Sequence, residues 1–216
     1  MPQIVIAPSS IGTAQFTIAA PETNTNRTIT LPDSTTTIVG TDSIQTLTNK
    51  TLSAPTIISY RGGVLIQSST VTASSTSVDF TGIPSWAKRI TLGFSNLSTN
   101  GTSNMIAQLG ISSGVTTSGY LASTGQGGVG AVAFTNGFGL SVSTSAATTI
   151  HGLGVFMNMG SNMWVYSMSG AFSNAAAVIN GGGLITLSGS LDRLRVTTVA
   201  GTDTFDTGTL SVIWEG

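Results

Sequence analysis

Asp203 and Asp206, in AGTDTFDTG, are the only two acids close together in the chain, and they are where catalysis would be sought first. Cleaving a glycosidic bond takes two carboxylates roughly 5 to 9.5 Å apart, one to protonate the leaving oxygen and one to attack or to activate water. The Gly- and Thr-rich setting reads instead as a hairpin turn, where an Asp side chain accepts backbone N–H groups. A Ca²⁺ loop would present oxygens at alternating positions and close on an acid, and this segment does not. Neither catalysis nor a metal is expected from the pair.

His151, in IHGLGVFMN, is the single histidine. Read as a strand, its face also carries Leu153, Val155 and Met157. A metal site would need carboxylates from elsewhere, since there is no second His and no Cys. Ser-His-Asp chemistry would rest on this one ring and lacks a nucleophile elbow. The expected role is a packed or interface histidine with one ring nitrogen satisfied. The chain is therefore read as non-enzymatic and without a cofactor.

Two stretches have the chemistry of binding. Ile83, Pro84, Trp86, Lys88 and Arg89 form the densest mixed cluster, and an aromatic face beside polar groups is what a sugar platform needs. The competing role is structural: a strand-entry turn with Trp86 packed on the end of the fold and the bases solvated or paired with Asp79. That structural role is the expected one. STGQGGVGAV (123–132) holds Gly125, Gln126 and Gly127, yet no helix follows and the nearest lysine is far away, so it is not a phosphate loop. It reads as a tight or flexible loop at an exposed tip. Trp86, Lys88, Arg89, Gly125, Gln126 and Gly127 are the candidate receptor contacts.

The elements that must position these residues are strands. Charged residues make up 7% of the 216, against 40% hydrophobic, and the balance is largely Ser, Thr, Gly and Asn. Disorder driven by low hydrophobicity and high charge is excluded by that balance. Seven bases against eight acids give a net charge of −1, which offers no electrostatic footprint for nucleic acid or an anionic membrane. No apolar run approaches the roughly 20 residues of a membrane helix, and MPQIVIAPSSIG has no basic segment to begin a signal peptide.

Thr, Val, Ile and Ser recur between Gly, Asn and Pro without helical periodicity, which is the pattern of an all-β sandwich or barrel. Arg89–Ser95 places Ile90, Leu92 and Phe94 on one face. Asn104–Ile111 aligns Met105, Ala107, Leu109 and Ile111. Asp192–Thr198 turns Leu194 and Val196 inward and Arg193, Arg195 and Thr197 outward, and Leu210, Val212 and Trp214 share a face. Met163, Trp164, Val165 and Tyr166 are apolar on both faces, so both are expected to meet protein, an oligomer covering the outer one. Residues 1–60 carry short apolar pairs between Pro8, Pro21, Pro32 and Pro55. They lack the apolar area for a core of their own and read as an extended arm.

GTAQFTIAAPETNTNRTITLPDSTTTIVGTD (12–42), QTLTNKTLSAPTI (45–57), GIPSWAKRITLGFSNLSTNGTSN (82–104) and LDRLRVTTVAGTDTFDTGTLSVIWE (191–215) together resemble bacteriophage fibre proteins of the short tail-fibre or head-fibre type. TLTNKTL is the most specific of these runs, and the Gly-rich middle, about 112–145, lies outside the likeness. The resemblance implies a virion structural protein, a homotrimer with its N-terminal end on the virion and its C-terminal end outward.

The expected organisation is all-β: an extended virion-docking arm and collar over 1–60 and a jelly-roll-like β-sandwich head over 61–216. Leu47, Leu52, Ile57, Trp164 and Tyr166 are the candidate trimer contacts. The expected partners are two further copies, capsid or tail proteins held through the arm, and host surface polysaccharide, with no nucleic acid and no membrane insertion. The expected location is the external surface of the virion, after synthesis in the host cytoplasm. The alternative is a capsid decoration protein whose arm laces neighbouring capsid subunits.

Overall fold

Alternating Ile90, Leu92 and Phe94 against Thr91, Gly93 and Ser95 gives one strand a dry and a wet face, and this rule builds most of the head. The chain divides into two units, Met1–Thr56 and Ile57–Gly216. The computed structural model describes residues 65–142 and 144–216, together with Asn26. The arm over 1–60 and the expected contacts Leu47, Leu52 and Ile57 lie outside the described residues.

The described residues form fourteen strands and no helix. They are β1 (Leu65–Gln67), β2 (Val71–Thr72), β3 (Ser77–Thr81), β4 (Arg89–Thr99), β5 (Met105–Ile111), β6 (Gly114–Val115) and β7 (Leu121–Gln126). There follow β8 (Val129–Phe134), β9 (Phe138–Gly139), β10 (Ile150–Gly160), β11 (Met163–Phe172), β12 (Val178–Thr186), β13 (Arg193–Thr198) and β14 (Phe205–Glu215). The larger sheet runs β1-β14-β4-β10-β11-β12-β7-β8, with β2 also on β14. The smaller runs β3-β13-β5-β6, with β9 also on β5. The ladders are antiparallel throughout.

One core lies between the sheets. Ile90, Leu92, Phe156 and Trp164 come from the larger sheet, and Leu109, Phe138, Leu194 and Val196 from the smaller. Phe138 ties them together: its ring stacks on Tyr166 at 4.6 Å and meets Tyr120 edge-on at 4.9 Å. Such pairs each contribute about 0.5–1.5 kcal/mol beyond the area they bury.

Two expectations are corrected by this packing. Met105, Ala107 and Leu109 are buried as expected, but so are Ile106 and Gln108 on the opposite face of β5. The segment entering β9 covers that face: Gln108 donates to the Asn136 carbonyl at 2.7 Å, and Gly137 lies against Ile106. Trp164 and Tyr166 are 1% and 4% exposed inside the single chain, so they are core residues rather than trimer contacts. Their alternate neighbours Met163 and Val165, both half-buried, form the outer face of β11.

Candidate binding site at one end of the head

The Pro84–Lys88 turn is held by the Ala87 N–H on the Pro84 carbonyl at 2.9 Å and by the Lys88 N–H on the Glu215 carbonyl at 2.8 Å. Ile83 and Ala87 anchor it in the core, and Trp86 remains 40% exposed. Trp86 is therefore not packed away, as a structural role would require. Arg89 opens β4 and pairs with Glu215 at 3.2 Å. Asp79 does not pair with these bases. It takes Arg195 instead through two bonds of 2.7 and 2.8 Å, and these raise the Arg195 guanidinium above its ordinary value.

Beside the turn lies a cavity of about 210 Å³, walled by Pro84, Ser85, Lys88, the β10–β11 hairpin and the Ser190–Leu191 loop. Two residues, Ser161 and Asn162, close that hairpin, at φ of 51° and 57°. Positive φ at both positions is what a two-residue hairpin turn demands, and here it is met without glycine. The Asn158 side chain accepts the Gly160 N–H at 2.8 Å, fixing the bend into the turn. Trp164 forms part of the wall from β11. Its buried indole Nε1 has no hydrogen-bond partner among the described residues.

The remaining candidate contacts are at the other end. Leu121 shares a row with Leu184, Val165, Met157 and Arg89, whereas Gln126 aligns with Ile179, Gly170, Gly152 and Phe94. The Gly125–Gly127 turn thus sits several residues further along the strands, away from Trp86 and Lys88. Gly127 is exposed and anchored to the Val178 carbonyl at 3.0 Å, while Gln126 is half-buried. The structure does not bring the two groups into one site.

His151 is satisfied as expected: its Nδ1 accepts the Asn96 N–H at 3.1 Å. Asp203 accepts the Ser103 N–H at 2.8 Å, in the loop role expected of it. Asp206 lies in β14 and is exposed. No group of three metal-ligating side chains exists among the described residues. A larger cavity, about 500 Å³, lies between Thr102–Asn104 and Val132–Asn136. Its Asn136 side chain is already bonded to the Val199 carbonyl.

A second surface was not visible as a patch in the sequence. From Ile90 to Leu191 the chain has no Asp, Glu, Lys or Arg, and this span supplies β10, β11, β12, β7 and β8. Across their outer face Met157, Val165, Leu184 and Leu121 stand in one row; on the same face Leu153 lies further along β10, and Val178 lies at the far end of β12. Leu121, Val178 and Leu153 are 68%, 59% and 55% exposed.

Sequence reasoning found Trp86 and Lys88 but missed Asn158, Ser161, Asn162 and Ser190, which are distant in sequence and meet only in the folded head. Comparison with protein-family models, with characterised proteins and with solved structures gave no match.

Proposed function

We propose that this protein is a non-enzymatic structural component of a bacteriophage virion: a homotrimeric fibre or spike on the particle's outer surface. Residues 1–60 dock on capsid or tail proteins, and the head, read as jelly-roll-like, is presented to host surface polysaccharide.

The observation that carries the reading is the charge-free outer face of β10, β11, β12, β7 and β8 in the larger sheet. Large contiguous apolar patches are rare on monomers, and the Met157–Val165–Leu184–Leu121 row crosses four adjacent strands. A second and third copy are its natural cover, since charge-free faces can meet without burying unpaired ions. The TLTNKTL run supports the virion assignment, and the exposed Trp86 beside a polar cavity supports attachment.

Mass in solution tests the assembly: a trimer is expected, and a stable monomer overturns it. Leu47→Asp with Leu52→Asp is expected to weaken the trimer; an unchanged mass makes that stretch a spacer. Labelled antibody on intact particles tests the position. Label on tail or baseplate is expected for a fibre, whereas label at capsid lattice positions establishes the decoration alternative.

A further inference from the structure

We propose that the outer edge of β8 is a pairing site between copies, where an extended, uncharged segment of a second copy adds to the larger sheet. Among the described residues β8 ends that sheet and pairs only with β7. Alternate residues of an edge strand point N–H and C=O groups outward, a template for another backbone. Folded chains blunt such edges with short strands, charges or prolines, and the other edges here follow that rule. β1 has three residues and β6 two, and β3 carries Asp79 in its pair with Arg195. β8 has six residues, VGAVAF, with no charge and no proline. Its one irregularity lies opposite Thr124–Gln126 and leaves Val132, Ala133 and Phe134 in regular register.

Val132 marks where the added strand would sit. Cross-strand neighbours point to the same side of a sheet, and Val132 stands opposite Thr124, which is 1% exposed on the inner side. Val132 is nevertheless 38% exposed, because a cavity of about 500 Å³ lies there instead of a covering strand. The cavity runs from Val132–Asn136 to Thr102–Asn104 and Val199, the last 44% exposed. A strand added to β8 would lay alternate side chains over this opening, against Val132 and Val199, while its backbone bonds to the edge. None of the lining residues is charged, so a charged segment would be desolvated there without a partner.

The occupant is a second copy because β8 borders the charge-free face on which the assembly reading rests, and the pairing deepens that reading. β10, β11, β12, β7 and β8 together cover about 700 Å², at about 3.4 Å per residue and about 4.8 Å per strand. A stable interface buries about 800 Å² on each partner, and the edge with its cavity supplies the difference. Copies that meet across the face bring backbone to its β8 border, where pairing becomes nearly intramolecular.

The test is amide hydrogen exchange by mass spectrometry on the full-length protein, read over 129–134, together with mass in solution. Val132→Lys places a charge at the mouth of the cavity, whereas Val132→Thr keeps a β-branched, uncharged residue. Wild type and Val132→Thr are expected to exchange these amides about tenfold more slowly than Val132→Lys, the worth of a backbone hydrogen bond. Exchange over the core strand 193–198 should be the same in all three, and Val132→Lys should shift toward monomer. Equal exchange over 129–134 in wild type and Val132→Lys overturns the proposal. So does slow exchange in a wild-type monomer, where the chain's own residues cover the edge. A trimer with fast exchange at β8 removes this pairing and keeps the assembly reading; a dimer with slow exchange at β8 keeps the pairing and removes the trimer.

Discussion

The hydroxyl of Tyr166, on β11 of the larger sheet, donates to the backbone carbonyl of Gly139, on β9 of the smaller, at 3.1 Å. A residue expected at a subunit interface thus joins the two layers of one chain. Tyr166→Phe keeps the ring stacked on Phe138 and removes only this bond. The expected cost is about 1–2 kcal/mol, seen as a lower urea midpoint with an unchanged slope.

Burial raises the phenols of Tyr120 and Tyr166 above the ordinary tyrosine value of 10.0, in Tyr120 against a smaller opposing effect of its hydrogen bond with Leu109. Both are neutral in the folded head, whereas in the unfolded chain they ionise near pH 10. The folded state therefore holds more protons above that pH. Their contribution is complete below about pH 10 and is lost as pH rises further. Urea midpoints measured upward from about pH 9 should fall steeply, and a Tyr120→Phe, Tyr166→Phe double variant should show a shallower fall.

Gly208 sits in the second of two register shifts where β14 meets β4, between Thr207 and Thr209, at φ +113°. A Cβ there would lie 2.6 Å from Cα of Leu97 and 2.8 Å from the Asn96 carbonyl oxygen. Both obstacles are backbone and cannot swing aside. Gly208→Ala is expected to cost about 2–4 kcal/mol from strain and overpacking together, measurable as a lowered thermal midpoint.

Met157 and Leu121 bracket the apolar row at 47% and 68% exposure. Met157→Lys with Leu121→Lys should change the stability of the head by no more than about 0.5 kcal/mol per site. The same pair should shift mass in solution toward monomer, because each lysine would have to be buried unpaired. A trimer that survives both changes places the interface elsewhere.

Asp79 and Arg195 form a two-point pair across β3 and β13, each side chain 35% exposed. At that exposure, solvent and salt screen the attraction, and Asp79→Asn is expected to cost no more than about 1 kcal/mol. The loss should shrink as salt is raised in denaturation experiments.

Much of the head was legible one strand at a time. Ile90, Leu92, Phe94, Leu194, Val196, Leu210 and Val212 are all buried as their alternation requires, because a strand's two faces are written in its own residues. His151 and Asp203 were legible too, each having one local geometric need that the backbone of another segment meets. Trp86 departed from expectation: tryptophan is usually buried, but its turn is anchored by Ile83 and Ala87 on either side, which leaves the ring outward.

The amino-acid sequence by itself determined the class of structure, all-β and nearly charge-free, since period-two patterning and composition depend on no partner. It also determined which residues could not perform catalysis through Cys, a His pair or a P-loop. Tertiary structure decided the rest. It buried both faces of β5 under the Asn136–Gly137 segment and separated the Gly125–Gly127 turn from Trp86. It also gathered Lys88, Asn162, Trp164 and Ser190 around one cavity. Such groupings depend on strand order and register, which are set by the packing of all the strands together and not by any one of them.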